Sequence, residues 1–391
     1  MFAHFIYRSL HDLMRTLVSA PTPDDREFDE TAALQAAASW LIRSIDACEG
    51  CGSSKGYRFL CGWMPAYPET TGYMIPTLLM LGRELGPLED YRQRARRLAA
   101  WLIGIQLPQG GFLGGEVGAL TEPDVFDTGM ILLGLNALVH EERDASALAA
   151  ARKAGEFLLS SIDRNGCFVR HLSHDIVHTY NVRAAWALLG LGQLVGDNRF
   201  VDGGERNARW TLRQQNAAGF FANNAFKNGG NANTHGIAYV MRGLLQIHEL
   251  TGDAAYLASV VKAARALQAC YTDKGWIAAE LGPDWRYLSS HICLTGYAQF
   301  AIIFYRLHQL SADPSYRRTA DNLLRDVGRT QILKHRSKPY FGAIAGSFPI
   351  YGRYAPLQYP NWATKFFADA LMAKRQVDRA EPRLRCQLYS G

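Results

Sequence analysis

The chain has 391 residues, 48% of them hydrophobic and 20% charged, close to the average soluble globular protein and long enough to bury a large core. Its formal charge of +6, from 42 Lys and Arg against 36 Asp and Glu, is a mild excess with no basic run suited to nucleic acid; "RQRARRLAAW" (92–101) reads as the solvated face of a helix. No run of about 18 apolar residues exists, which excludes a membrane-spanning helix, and seven cysteines without a disulfide pattern point to a reducing cytoplasm.

In chain order, residues 1–30 come first. Phe2, Phe5, Ile6, Leu10, Leu13, Met14 and Leu17 recur at helical spacing, without the unbroken apolar core of a signal peptide. This amphipathic helix is expected to dock on the body of the protein; the alternative is contact with a membrane surface or a partner through residues 1–20. "CEGC" (48–51) with Cys61 offers three thiolates, but no second Cys pair or His pair stands at finger spacing, so a plain loop is expected there rather than zinc. Nothing else in the sequence calls for a metal or a cofactor.

Glycine followed by an aromatic then recurs in loop-like settings. "SKGYRF", "PQGGFL", "RNGCFV", "AAGFFA" and "DKGWIA" place Gly56, Gly111, Gly166, Gly219 and Gly275 at intervals of 55, 55, 53 and 56 residues, and "KPYFGA" is a looser sixth copy. A polar-faced amphipathic helix precedes each loop, over 31–46, 89–106, 145–162, 199–215, 253–270 and 315–332. A helix that is apolar nearly all round follows, over about 72–85, 129–141, 182–196, 236–251, 296–311 and 363–375. Helices with one polar face belong outside and apolar ones inside. The pattern predicts an all-α (α/α)6 toroid over residues 31–376, six outer/inner pairs with no domain break, followed by a tail over 377–391.

The inner helices open alike: "YPETTGY", "VFDTGMI", "HTYNVRA", "NTHGIAY", "CLTGYAQ" and "YPNWATK". Thr and Asn there are accounted for by capping, but capping does not require Glu69, His178, Tyr180, Arg183, His235 or Lys365. In a toroid these N-termini ring one mouth, whose helix dipoles favour anionic groups. The mouth is therefore the expected substrate site.

These segments, from about residue 35 to 375, resemble a family of bacterial toroid proteins found beside exopolysaccharide genes, and the glycine-aromatic loops resemble the repeats of terpene-cyclase and protein-prenyltransferase toroids. The resemblance implies the fold shared by polysaccharide lyases, unsaturated-uronyl hydrolases, other glycosidases and uronyl epimerases. The Asp-x-Asp-Asp acid motif of terpene cyclases is missing, as are the zinc sets of prenyltransferases and lanthionine cyclases. Carbohydrate chemistry remains.

Three functions fit these residues. The first is lyase or epimerase action on a uronate-containing polysaccharide, with Tyr180 and His235 transferring protons and His178, Asn181, Asn233 and Arg183 holding the carboxylate. The bland alternative gives His178 a capping role, Tyr180 a packing role and Arg183 a carboxylate partner. The second is hydrolysis by Glu69 with Asp127 or Asp284, where the alternative for both helix-start acids is N-terminal capping. The third is a non-catalytic toroid that binds a glycan or scaffolds an export assembly. Trp63, Tyr67, Tyr73, Trp285, Tyr287, Tyr351, Tyr354, Tyr359 and Trp362 fall in rim loops, where rings can stack on sugars or merely pack. Tyr239, His291, Asn361 and Lys365 complete the expected substrate contacts. Arg183, Lys365, Arg353 and Arg286, with six helix ends, are expected to outweigh Glu69, Asp127 and Asp284 and to draw in an acidic glycan.

Overall fold

The computed structural model describes residues 28–119, 122–334 and 336–380. The amphipathic segment expected over residues 1–20 lies outside them, as does most of the expected tail. Twelve α-helices occur among the described residues: α1 (Glu30–Asp46), α2 (Pro68–Leu85), α3 (Leu88–Gly104), α4 (Val125–Glu142), α5 (Ala145–Ser160), α6 (Val182–Val195), α7 (Asn198–Leu212), α8 (Thr234–Thr251), α9 (Ala254–Lys274), α10 (Leu294–Ser311), α11 (Pro314–Gly328) and α12 (Asn361–Asp378). Each even-numbered helix packs on the next even-numbered one, and α12 returns to α2, so the six close into a ring. Helices α3, α5, α7, α9 and α11 pack outside the inner helix that precedes them, and α1 packs outside α12. This is an (α/α)6 toroid.

Burial follows the sequence pattern. In α4 every residue from Val125 to Val139 is buried, whereas α7 buries only Phe200, Gly203, Gly204, Asn207, Ala208 and Thr211, a single helical stripe. Inner helices pass to outer ones through two-residue turns such as 86–87 and 143–144, all on one face. Outer helices pass to inner ones through long loops on the other face, where the inner N-termini lie. That face is the mouth.

The glycine-aromatic repeat is a fold device rather than part of the site. Gly110, at φ +92°, lies so close to α5 that a Cβ would sit 2.2 Å from the Lys153 carbonyl; Gly342, at φ +85°, abuts Ala36 of α1 in the same way. The Gln106 amide donates to the carbonyls of Gly110 and Ala150 at 2.9 Å, and the Gln331 amide to those of Gly342 and Ala33 at 3.0 Å. The loops at Gly110, Gly166, Gly219 and Gly342 fasten one outer helix to the next, whereas Gly56 abuts Tyr359 of the last mouth loop and Gly275 meets no neighbour; the aromatics Phe112, Phe168 and Phe221 fill the core.

Two features differ from expectation. The inner helices α2, α4, α8, α10 and α12 begin two to four residues earlier than their apolar runs suggest, because caps and polar first turns extend them. Pro68 occupies the first turn of α2, where a missing N–H costs nothing, Asp124 accepts from the amides of Phe126 and Asp127, and Asn233 accepts from the amide of His235. Glu69, Asp127 and His235 are consequently first-turn residues and not loop residues. Short strands, which alternation in the sequence does not announce, also stitch the mouth loops together. Strand β1 (Gly56–Arg58) pairs with β2 (Gly62–Trp63) and with β7 (Gln358–Pro360), joining the first loop to the last; β3 (Ala232–Asn233) pairs with β4 (Glu280–Leu281), and β5 (Ile292–Cys293) with β6 (Ser347–Phe348).

Candidate active site

Three carboxyl groups meet where α2 and α4 begin. Glu69 is 6% exposed and hydrogen-bonded to the Tyr67 hydroxyl; Asp127 is 4% exposed and accepts from the Gly115 amide at 2.7 Å. Asp124 caps α4 and accepts from the Ser173 hydroxyl at 2.6 Å. Burial raises the Glu69 carboxyl to about 7, against the opposing pull of the Tyr67 bond and the Arg183 charge. Burial, reinforced by the carboxylates of Asp124 and Glu69, pushes Asp127 well above the usual range, and burial raises Asp124 as well. Three such groups in a dry site do not all ionise at neutral pH. Among the described residues, two cations oppose this: Lys55, which pairs with Glu116 at 2.6 Å, acts on Glu69 and Asp127, and Arg183 acts on Glu69.

The starts of α6 and α8 supply the facing wall. Tyr180 stacks on His178 with centroids 4.3 Å apart and meets Phe126 edge-on at 5.1 Å; Phe226 and Tyr239 complete the ring lining. Burial and the neighbouring Asp124, Asp127 and Glu69 carboxylates drive the Tyr180 hydroxyl well above its ordinary range, so it stays protonated and donates. His235 packs on Tyr239 at 4.1 Å, and the Gln299 amide lies 2.8 Å from its Nδ1. Burial and then the Arg183 charge depress His235 well below the usual imidazole range, so it is neutral at physiological pH. Tyr354, whose hydroxyl accepts from the Trp362 indole at 2.8 Å, closes over His235 from the last loop with centroids 5.6 Å apart.

Beneath this wall Arg183 and Lys365 are wholly buried. The Arg183 guanidinium lies 4.3 Å over the Tyr239 ring, with Trp186 and Phe366 beside it and Nε directed at Met130 Sδ. Lys365 pairs with Asp369 at 2.7 Å. The sequence led us to expect both to grip a substrate carboxylate; here both are closed off from solvent, Arg183 in the first turn of α6.

Other expected contacts also fall elsewhere. Tyr359 is stacked in the core against Tyr340 and Phe59 because strand β7 turns it inward. Trp63 packs on Trp40 and Tyr57, and Trp285 packs on Phe220 with its indole donating to the Ala218 carbonyl. Asp284 is exposed on a hairpin tip beside Arg286, apart from the carboxyl trio, which removes it as a partner for Glu69. Asn361 donates to Ser44, and Asn233 is spent on its cap. His291 is buried beside the Gly352 backbone of the last loop. Asn181 is buried within the turn that precedes α6. Arg353 and Arg286 are exposed, and the basic side chains buried in the inner ring are Arg183, Arg242 and Lys365. Cys51 and Cys61 are exposed and Cys48 half-buried; among the described residues no group of three or more His, Cys, Asp and Glu converges to hold a metal.

Sequence reasoning missed Asp124, Gln299 and Phe126. Asp124 was legible, three residues before Asp127 and ahead of an apolar helix. Gln299 and Phe126 look like ordinary helix residues, and only the ring closure brings them to the site.

No protein-family model matches the chain, and no curated protein matches it. Solved structures do. An unsaturated glucuronyl hydrolase from Bacillus sp. GL1, described as responsible for the degradation of glycosaminoglycan, is 17% identical with a TM-score of 0.70, covering 90% of this chain and 97% of that one. A structure described as UGL with dGlcA-Glc-Rha-Glc is also 17% identical, with a TM-score of 0.68 over 89% and 96% of the two chains. Cellobiose 2-epimerase from Bacillus thermoamylovorans is 13% identical, with a TM-score of 0.70 over 88% and 98%. At such identities the likeness establishes the (α/α)6 fold.

Proposed function

We propose that this protein is a carbohydrate-processing enzyme, a glycoside hydrolase of uronate-containing oligosaccharides in which Asp127 and Glu69 form the acid–base pair. The observation that carries this is the pair of buried carboxyls at adjacent inner-helix starts, both raised, with Glu69 titrating at about 7. Asp127, the more strongly raised, keeps a proton to give to the leaving oxygen. Glu69, ionised above neutrality, takes one from the attacking water. Tyr180 donates a hydrogen bond to the sugar, and Phe126, Phe226, Tyr239 and Tyr354 offer ring faces.

Lyase or epimerase action through Tyr180 fits less well, because a base at that position needs a lowered hydroxyl and its carboxylate neighbours act the other way. The acidic-substrate part of the reading is supported by two things. The similar solved structures include glucuronyl hydrolases, and the wholly buried Arg183 acts as a cation on Glu69.

Incubation with a panel of acidic oligosaccharides tests it. Hydrolysis releases reducing ends with no new ultraviolet absorbance, whereas elimination creates an absorbing unsaturated sugar. A rise in absorbance that survives Glu69→Gln and disappears in Tyr180→Phe would overturn the hydrolase reading in favour of elimination.

A further inference from the structure

The mouth loop that leads into α2 opens with two thiols that the proposed chemistry does not use. Cys48 stands two residues past the end of α1 and Cys51 follows three residues later, with the Cys51 amide donating to the Cys48 carbonyl at 2.8 Å. Glu49 at φ 53° and Gly50 at φ 81° both occupy the left-handed region, the pairing that a two-residue primed turn requires. Closing such a turn holds its end Cα atoms within about 7 Å, and a disulfide spans roughly 4.4–6.8 Å. Cys51 is exposed and Cys48 half-buried. The turn is not adrift. Gly52 is wedged against the Trp101 ring, where an added Cβ would sit 2.6 Å from a ring carbon. The Ser53 amide donates to Thr71 Oγ1 at 2.9 Å, and the Ser53 carbonyl accepts from the Tyr67 amide at 3.0 Å. Two residues beyond the second thiol, the chain is therefore bonded to both sides of Glu69.

We propose that Cys48 and Cys51 form a reversible redox site, a dithiol that small disulfides oxidise to an intramolecular disulfide, locking the loop that anchors the Glu69-bearing end of α2. The Cys51 thiolate attacks one sulfur of a low-molecular-weight disulfide, forming a mixed disulfide and releasing one thiol. The Cys48 thiolate then attacks Cys51 Sγ and expels the second. The protein loses two protons and two electrons, and the disulfide is reduced to two thiols. Exposure sets the order, because Cys51 is the sulfur an outside reagent reaches first. Burial pushes the Cys48 thiol up to about 11, so the closing step quickens as pH rises above neutrality. Cys61, exposed at Gly62 of the β1–β2 turn, stands outside this turn. The inference does not depend on the chemistry assigned to Glu69, and its test needs no substrate.

The full chain is incubated with oxidised glutathione and digested, and the peptide holding residues 48–51 is weighed. It should be about 2 Da lighter than its reduced form, the loss of two hydrogens. Cys48→Ser should stall as a stable glutathione adduct on Cys51, Cys51→Ser should take up no glutathione at this turn, and Cys61→Ser should close like the unaltered chain. Backbone hydrogen exchange at Ser53 and Tyr67 should slow severalfold on oxidation and recover on reduction. A wild-type chain that keeps the glutathione adduct without closing, or that pairs Cys51 with Cys61, overturns the site. Closure that leaves exchange at Ser53 and Tyr67 unchanged overturns its coupling to α2.

Discussion

Glu69 is buried against a tyrosine hydroxyl instead of a cation, and this placement ties activity to stability. Its carboxyl rises from an ordinary 4.5 to about 7 in the folded chain. A carboxyl raised by folding contributes no penalty below its unfolded value, and an increasing one as pH climbs from there through the folded value. Above pH 7 the cost is on the order of 3 kcal/mol. Glu69→Gln removes the charge and keeps the shape. Its melting temperature should exceed that of the wild type at pH 8 and match it near pH 4.5; an equal gap at both would mean that ionisation is not the cause. The same substitution should lower turnover by about 10²- to 10⁴-fold, the usual loss of a general acid or base. For the wild type, turnover should rise with pH through about 7, since the base must be ionised. Tyr180→Phe should cost far less if the hydroxyl only donates a hydrogen bond.

The inner helices approach one another through small residues, and their spacing sets the mouth. A Cβ at Gly129 of α4 would lie 2.4 Å from the Ala184 Cβ of α6, and one at Gly72 of α2 would lie 2.4 Å from the Ile131 Cα of α4. Pro76, inside α2, cannot donate to the Gly72 carbonyl, and Gly134 of α4 lies against that same carbonyl. Gly129→Ala should therefore wedge α4 from α6 and destabilise the fold by about 1–3 kcal/mol. Chemical denaturation would show it as a lower midpoint at unchanged slope. Asp124→Ala removes the cap of α4 and the Ser173 bond together, at roughly 1 kcal/mol for the cap. Because Asp124 also raises Asp127, whose proton the reaction needs, the variant should lower the pH at which the alkaline limb of activity falls away. A loss of stability with an unmoved alkaline limb would separate the two roles. Both effects are read at the level of one helix start.

At the scale of the whole molecule, the ring was legible because two independent periodicities coincide, the glycine-aromatic loops and the apolar runs. Part of the candidate site was legible too. Glu69, Asp127, Tyr180 and His235 stand out as polar residues at the heads of apolar helices, and the fold brings those heads together. What was not legible is direction. Nothing local in Tyr359, Trp63 or Asn361 tells that a strand or a neighbouring outer helix will take up its side chain, and nothing in Arg183 tells that its guanidinium will lie over the Tyr239 ring. Charge suffered likewise: Arg286 and Arg353, counted at the mouth, lie exposed, and Arg242 was not counted, so the buried carboxyls with buried cations beside them emerge only from the packed ring. That arrangement predicts an acidic oligosaccharide whose affinity weakens as ionic strength rises, with a milder slope than surface pairing would give, since buried charges are screened less. A flat response would remove the acidic substrate while leaving the carboxyl pair in place.

The pairing of Glu69 with Asp127 is tested most directly by a crystal structure of Glu69→Gln with a bound acidic oligosaccharide. It should show a glycosidic oxygen within hydrogen-bonding reach of Asp127, with sugar rings against Phe126, Tyr239 and Tyr354. An oligosaccharide bound away from the starts of α2 and α4, with its glycosidic bonds out of reach of both positions, would contradict the account.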